Sequence, residues 1–156
     1  MSDNKHLLIV HHSQSGTTSQ MAQAVIRGAR SPEIGNVEVR TRTALEATAA
    51  DLLWCDAFIL GTPENFGYMS GALKDFFDRC YYPLLDRTDA LPYALLVRAG
   101  QDGTGTCRAV ASITTGLRWK PVQDPTVCRG QWDDGFVDQA KELGTAMAAG
   151  LEMGVF

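Results

Sequence analysis

The sequence has no apolar run that approaches the ~20 residues needed to cross a bilayer as a helix. Its first residues, from Met1 to His6, are mostly polar and run straight into a short apolar segment, which is not the pattern of a signal peptide. We therefore expect a cytoplasmic protein that makes no contact with a membrane.

Basic residues are not in excess, and cysteines are not paired. The net charge is −4, so the sequence gives no support for nucleic-acid binding, which usually requires a clustered basic stripe. The four cysteines are widely spaced, with no Cys-x-x-Cys pair: Cys55, Cys80, Cys107 and Cys128. This spacing argues against a zinc site, an iron–sulfur site and a thioredoxin-like motif. We expect reduced thiols, two or three of them packed in the core.

Short apolar segments alternate with helical patterns along all 156 residues, a length typical of one domain spanning residues 1–156. The expected strands are residues 7–10, 37–41, 57–60 and 93–97, with a weak one near Val127. The expected helices are about 18–29, ended by Gly28 and Ser31-Pro32, then 45–53, 71–80, 108–117 and 134–150. This order predicts an α/β fold with a doubly wound, five-stranded parallel sheet and helices on both faces.

Ligands of such sheets bind beyond the carboxyl ends of the strands, so the loops after strands one, three and four are the candidates. The first of these is the turn Ser13, Gln14, Ser15, Gly16, Thr17 and Thr18. A helix N-terminus stabilises an anion, and hydroxyl groups add donors. No Lys or Arg lies between Ser13 and Met21, which excludes a P-loop, and the Gly-x-Gly-x-x-Gly pattern of dinucleotide sites is missing. One terminal phosphate held by neutral donors remains, with an ordinary Ser-capped helix start as the alternative.

The loop after strand three carries aromatic residues among glycines, over residues 61–69, and then Ser70 as the expected N-cap of the next helix. Aromatic side chains on such a loop suit a flat ring, whose edge backbone amides can bond. Phe66 and Tyr68 could instead anchor the loop. The next helix is expected to end at Tyr81-Tyr82-Pro83.

Together, the two loops resemble the flavodoxin-like family of FMN proteins, and most closely its NAD(P)H-dependent FMN or quinone reductases. In those enzymes a Pro-x-x-Phe-Gly segment followed by Ser-Gly-x-Leu-Lys-x-Phe-x-Asp-Arg borders the flavin ring. The resemblance implies FMN as the cofactor, with its phosphate in the turn from Ser13 to Thr18. It implies ring contacts from Pro63, Glu64, Asn65, Phe66 and Gly67, and a third wall from Ala99, Gly100, Gln101, Asp102 and Gly103.

The resemblance also implies an oxidoreductase that passes electrons from NAD(P)H through FMN to a quinone or similar acceptor. Residues 98–108 contain no aromatic side chain, which favours a reductase with one open ring face over a flavodoxin-type one-electron carrier. Tyr81, Tyr82 or Trp132 could nevertheless fill that gap. A flavin-free module that binds another phosphorylated ligand or a protein partner is the other alternative.

Three further expectations concern single side chains. An oligomer could form through Phe77, Tyr81 and Tyr82 if they are exposed. His11 and His12 are expected to be hydrogen-bonded residues of the core or rim. No residue of the sequence is singled out as a catalytic acid or base.

Overall fold

The computed structural model describes residues 4–12 and 16–156. The strands are β1 (Lys5–His11), β2 (Val37–Thr43), β3 (Ala57–Asn65), β4 (Tyr68–Met69), β5 (Pro92–Ala99), β6 (Lys120–Pro121) and β7 (Thr126–Arg129). The helices are α1 (Gly16–Ala29), α2 (Ala49–Trp54), α3 (Gly71–Leu84), α4 (Thr104–Gly116) and α5 (Gly135–Glu152).

The main strands form a parallel sheet in the order β2-β1-β3-β5, and the fifth position is shared by β6 and β7. Both short strands pair with β5, β6 at its start and β7 at its end, and residues 122–125 interrupt the pairing between them. The fifth strand is therefore split rather than weak. The predicted doubly wound α/β fold is confirmed.

Successive residues of the central strands face opposite layers, as the two-residue period of a strand requires. Leu8 and Val10 of β1 belong to a core shared with α2, α3 and α4. Leu7 and Ile9 belong to a second core shared with α1 and α5. Both faces are buried, which explains why these strands are continuously apolar in the sequence.

Helices α1 and α5 cross very closely. A Cβ atom on Gly28 would overlap the carbonyl oxygen of Lys141, and one on Gly144 would overlap that of Val25. Thr145 Oγ1 donates a hydrogen bond of 3.2 Å to the Gly28 carbonyl. Gly28 was expected to end α1, but it lies within the last turn of the helix. Its missing side chain allows the two helices to touch.

Helix α3 also differs from expectation at its end. Its N-cap is Ser70, as predicted, with Oγ accepting a bond of 3.1 Å from Leu73 N. The helix continues past Pro83 to Leu84. Leu84 is fully buried, so packing of the last turn compensates for the hydrogen bond that proline cannot donate.

Arg79 of α3 ties down the loop between β2 and α2. Its two terminal nitrogens donate to the carbonyl oxygens of Ala44 and Ala47, at 2.8 and 2.7 Å, and its Nε donates to Asp75. Because this loop holds the chain up to Ala47, α2 begins at Ala49 and not at residue 45 as expected. Thr48 and Asp51 form a capping box at its start.

Two expectations on single residues can be compared with the fold. Phe77 is buried and does not meet the condition set for an oligomer contact, whereas Tyr82 is exposed and meets it. Cys55, Cys80 and Cys128 are buried, and all four cysteines are free.

No helix in residues 4–12 and 16–156 is long and apolar enough to span a bilayer.

Candidate functional site

The carboxyl ends of β1, β3 and β5 meet at one edge of the sheet, where His11 of β1 lies opposite Gly61 of β3. Of the predicted phosphate turn, Ser13, Gln14 and Ser15 lie outside the described residues. Gly16, Thr17 and Thr18 form the start of α1. The turn therefore leads directly into a helix N-terminus at the ligand-binding edge.

The N-terminus of α1 is suited to an anion. Its first turn carries no acidic side chain, whereas Arg27 lies in its last turn. The helix dipole is therefore not compensated at its positive end. A Cβ atom on Gly16 would have no neighbour within 4 Å, so the backbone here is open to a ligand.

Residues 63–69 form a β-hairpin rather than the expected long loop. Glu64 pairs with Met69 and Asn65 with Tyr68, which leaves Phe66 and Gly67 as a two-residue turn. Both have positive φ angles, 54° and 72°, as in a type I′ turn, which usually carries Asn-Gly. Phe66 is fully exposed at the tip, so an aromatic ring is presented in a conformation that its Cβ atom disfavours.

The base of the hairpin is fixed by Thr62 and Ser70. Ser70 N donates to Thr62 Oγ1 at 3.1 Å, and Thr62 Oγ1 donates to the Pro63 carbonyl at 2.8 Å. Its tip rests on the first turn of α4, because a Cβ atom on Gly105 would overlap the Gly67 carbonyl oxygen. At Gly105 the two backbones therefore touch, and any side chain would separate them.

The loop after β5 is bonded to the hairpin. Gln101 N donates to Glu64 Oε1 at 3.1 Å. Asp102 Oδ1 accepts from Thr104 N at 3.0 Å, which lowers the pKa of Asp102, and Arg129 Nε donates to the Asp102 carbonyl at 2.7 Å. Two of the three predicted loops are thus held as one unit.

An open groove of about 410 Å³ lies between these two loops, lined by Glu64, Phe66, Gly67, Gly100 and Gln101. Its volume is within the range of about 300–1,000 Å³ common for small-molecule sites. Cβ atoms on Gly67 and Gly100 would have no neighbour within 4 Å, so a flat ring can approach the backbone closely. These residues fit the isoalloxazine ring of FMN, and the α1 N-terminus fits its phosphate.

Other predicted residues lie behind the groove. Pro63, Ala99 and Gly103 are buried. Pro63 pairs with Arg98 inside the sheet, and the Gly103 backbone packs on Val127 with a positive φ of 71°. These residues support the loops rather than line the groove.

His11 and His12 lie at the end of β1 and line a small cavity below the edge of the sheet. Burial lowers the pKa of both imidazoles; His12 lowers that of His11 further, against the opposing effect of Glu46. Within residues 4–12 and 16–156, the Nδ1 atoms of both are buried and have no hydrogen-bond partner, so the expectation of hydrogen-bonded residues is wrong for these atoms. Arg98 lines the same cavity and was not identified from the sequence.

Comparison with known proteins identifies the family. The model of the NADPH-dependent FMN reductase family matches residues 34–134. A flavodoxin from Aquifex aeolicus is 36% identical over 111 residues, which are 71% of this chain and 59% of that protein. An NAD(P)H dehydrogenase (quinone) from Acidithiobacillus ferrooxidans is 35% identical over 91 residues, 47% of this chain and 46% of that protein. The chain thus spans about half the length of these curated relatives.

Solved structures show the same fold. An archaeal flavodoxin superposes with a TM-score of 0.76 at 18% identity, covering 94% of this chain and 98% of that one. A WrbA-like flavodoxin from Agrobacterium tumefaciens gives 0.74 at 21%, covering 94% and 96%. Taken with the family match, these findings place the chain in the NADPH-dependent FMN reductase family, as a flavodoxin-like FMN protein.

Proposed function

We propose that this chain is an NAD(P)H-dependent reductase that passes electrons through FMN to a quinone or a similar small acceptor. The observation that carries the proposal is the open groove beside the hairpin. Gly100 and Gln101 line its far wall, and the loop to which they belong, residues 100–103, has no aromatic side chain. A ring seated there keeps room beside it for a nicotinamide or an acceptor.

The proposed cofactor contacts follow the edge of the sheet. Ser13, Gln14, Ser15, Gly16, Thr17 and Thr18 would hold the phosphate. Glu64, Asn65, Phe66 and Gly67 would meet the ring from the hairpin, over Pro63. Gly100, Gln101 and Asp102 would form the opposite wall, with Ala99 and Gly103 supporting it from behind. Bound FMN would supply hydride and electron chemistry that the side chains lack, while the chain orients the ring.

The aromatic residues that could have closed the groove lie elsewhere. Tyr81 packs on Gly116, at the last residue of α4, and Tyr82 packs edge-on against Tyr81. Trp132 packs against Phe136 of α5, at a ring separation of 5.6 Å. Their positions support a groove that the chain itself leaves open to a second substrate.

Turnover by the purified holoprotein tests the proposal. We expect NADH or NADPH oxidation with a water-soluble quinone to be much faster than with the same concentration of free FMN. A matched control is Tyr82→Ala, which removes an exposed aromatic side chain far from the groove and should keep the full rate.

A one-electron carrier is the second candidate, since the relative from Aquifex aeolicus is a flavodoxin. A holoprotein that is yellow but no faster than free FMN would overturn the reductase proposal in favour of this carrier. A protein that stays colourless after mixing with FMN, with a flat fluorescence titration, would contradict both candidates.

A further inference from the structure

Arg98 brings a positive charge to the edge of the sheet where the cofactor phosphate is proposed to bind. It lines a small cavity of about 20 Å³ together with Thr18 of α1 and with His11 and His12 of β1. Most of the remaining lining is apolar, including Ile9, Met21 and Leu96. Arg98 and the first turn of α1 therefore border one confined space.

Neutral acceptors hold this guanidinium in place. Its Nη1 donates to the carbonyl oxygens of Ala99 and Cys128, at 2.7 and 3.1 Å, and its Nη2 donates to that of Gly130, at 2.7 Å. Trp132 and Phe136 flank its Cζ atom, with ring centres at 5.9 and 5.0 Å.

Arg98 makes no ion pair within the described part of the chain. The two acidic side chains between Trp132 and α5 have other partners: Asp133 accepts a hydrogen bond from Gly135 N, and Asp134 accepts one from Trp132 Nε1. The charge of Arg98 is therefore fixed in position by carbonyl groups and is not neutralised by them.

The groups around the cavity share one electrostatic preference. The positive end of the α1 dipole and the Arg98 cation both favour an anion there. Each neutral imidazole has a buried Nδ1 atom with no partner among the described residues, and that atom can donate to an anion when it carries the proton of the ring. Such a combination is unfavourable when empty of anions and strongly favours a bound anion. It also changes the expectation from the sequence, in which only neutral donors surround the phosphate.

We propose that Arg98 is a specificity-determining residue whose charge acts across this cavity on the FMN phosphate and makes the chain prefer FMN to riboflavin. The inference rests on the proposed cofactor site. It requires no direct contact between the guanidinium and the phosphate, because a charge in a poorly hydrated cavity is weakly screened.

Calorimetric titration of the apoprotein with FMN and with riboflavin tests this proposal through the ratio of the two Kd values. Arg98→Gln should lower the preference for FMN about tenfold, the size expected for removing one charge near a phosphate in a partly buried site. Arg98→Lys keeps the charge and should keep most of the preference. Loss of structure alone would weaken both flavins equally and leave the ratio unchanged.

Arg118→Gln is the matched control. Arg118 is an exposed arginine that pairs with Asp86 and Asp89 just before β6, away from the cavity. Its loss changes the net charge by the same amount, and we expect the Kd ratio to stay at the wild-type value.

The outcomes separate this inference from the cofactor assignment. A wild-type protein that binds neither flavin contradicts both. A protein that binds FMN but shows the same Kd ratio after Arg98→Gln contradicts the role of Arg98 alone. Should Arg98→Gln fail to fold, Arg98→Met decides, because it keeps an unbranched side chain between Trp132 and Phe136 and removes only the charge. A lower preference for FMN in this variant supports the proposal, and an unchanged preference overturns it.

Discussion

Phe66 combines two properties that folding alone does not favour. Its φ of 54° places a residue with a Cβ atom in the left-handed region, at a cost of roughly 1–2 kcal/mol. Its ring is fully exposed, so packing within the chain does not offset that cost. Backbone strain that packing within the chain does not offset is typical of ligand-binding positions. The conformation of Phe66 therefore fits the proposed contact with the flavin ring.

Replacing Phe66 with Asn should separate stability from binding. Asn-Gly is the preferred pair for a type I′ turn, so we expect Phe66→Asn to raise the free energy of unfolding of the apoprotein by about 1 kcal/mol. The same variant should bind FMN more weakly because it loses the aromatic contact. Urea denaturation and fluorescence titration measure the two effects, with Tyr82→Ala as the control. A less stable variant, or one with unchanged affinity, would contradict this interpretation.

His11 gives the fold a predictable response to acid. Burial is the main reason that its pKa lies below the ordinary value, whereas the unfolded imidazole takes up a proton near pH 6.5. Below that pH the unfolded chain binds more protons than the folded chain, so the free energy of unfolding falls as the pH drops. His12 adds to this effect in the same direction.

We expect the free energy of unfolding of the apoprotein to decrease below about pH 6.5 and His11→Gln to make that decrease shallower. Urea denaturation at a series of pH values provides the measurement. A wild-type and a His11→Gln curve with the same slope between pH 7 and 5 would show that His11 does not titrate differently in the two states.

At the scale of elements, the hairpin and α4 act as one unit. The Gly67 carbonyl occupies the space where a side chain on Gly105 would lie, and the bond from Gln101 N to Glu64 Oε1 closes the other side. The position of the hairpin, and with it the shape of the groove, is therefore set by the first turn of α4.

Gly105→Ala should displace the hairpin. We expect it to lower the free energy of unfolding by about 1–3 kcal/mol, the usual cost of forcing an extra group into a packed contact, and to weaken FMN binding. Gly71→Ala is the matched control: it also lies in the first turn of a helix, but its Cβ atom would have no neighbour within 4 Å. Equal effects of the two substitutions would show that helix propensity, and not the contact with Gly67, is responsible.

The sequence was most informative where structure is decided locally. Continuous apolar runs located the central strands, because a strand buried on both faces has apolar residues at every position. Ser70 located the start of α3, because an N-cap is set by the residue type at a single position. The end of α3 was predicted too early, since the burial of Leu84 outweighs the local effect of Pro83. Gly28 could not be interpreted from sequence because its reason lies in α5, more than a hundred residues away.

The same distinction applies to the candidate site. Phe66 and Gly67 were recognisable from one short motif, although their turn geometry was not. Arg98 lines the same cavity as Thr18, and Gly105 packs against Gly67. No spacing rule along the chain predicts either arrangement. The sequence therefore indicated the loops of the site. The fold was needed to identify Gly105, which positions the hairpin, and Arg98, which brings a positive charge to the edge of the sheet.

For the molecule as a whole, cofactor and fold should stabilise each other. A ligand that binds only the folded state raises the free energy of unfolding by about 2.7 kcal/mol at a hundredfold excess over its Kd. We expect FMN to have this effect in urea denaturation and inorganic phosphate at the same concentration to have almost none. No shift with FMN would contradict native-state binding of the cofactor.

The place of Trp132 has a practical consequence. The centre of its indole ring lies 5.9 Å from the Cζ atom of Arg98, a residue that lines the cavity. Trp119 is buried in the other core, and Trp54 is stacked on His6. Ultraviolet light absorbed by an indole can pass as excitation energy to a yellow chromophore nearby. The fluorescence of Trp132 should therefore report on flavin binding. Comparing wild type with Trp132→Phe measures how much of the loss of tryptophan fluorescence on FMN binding comes from this residue.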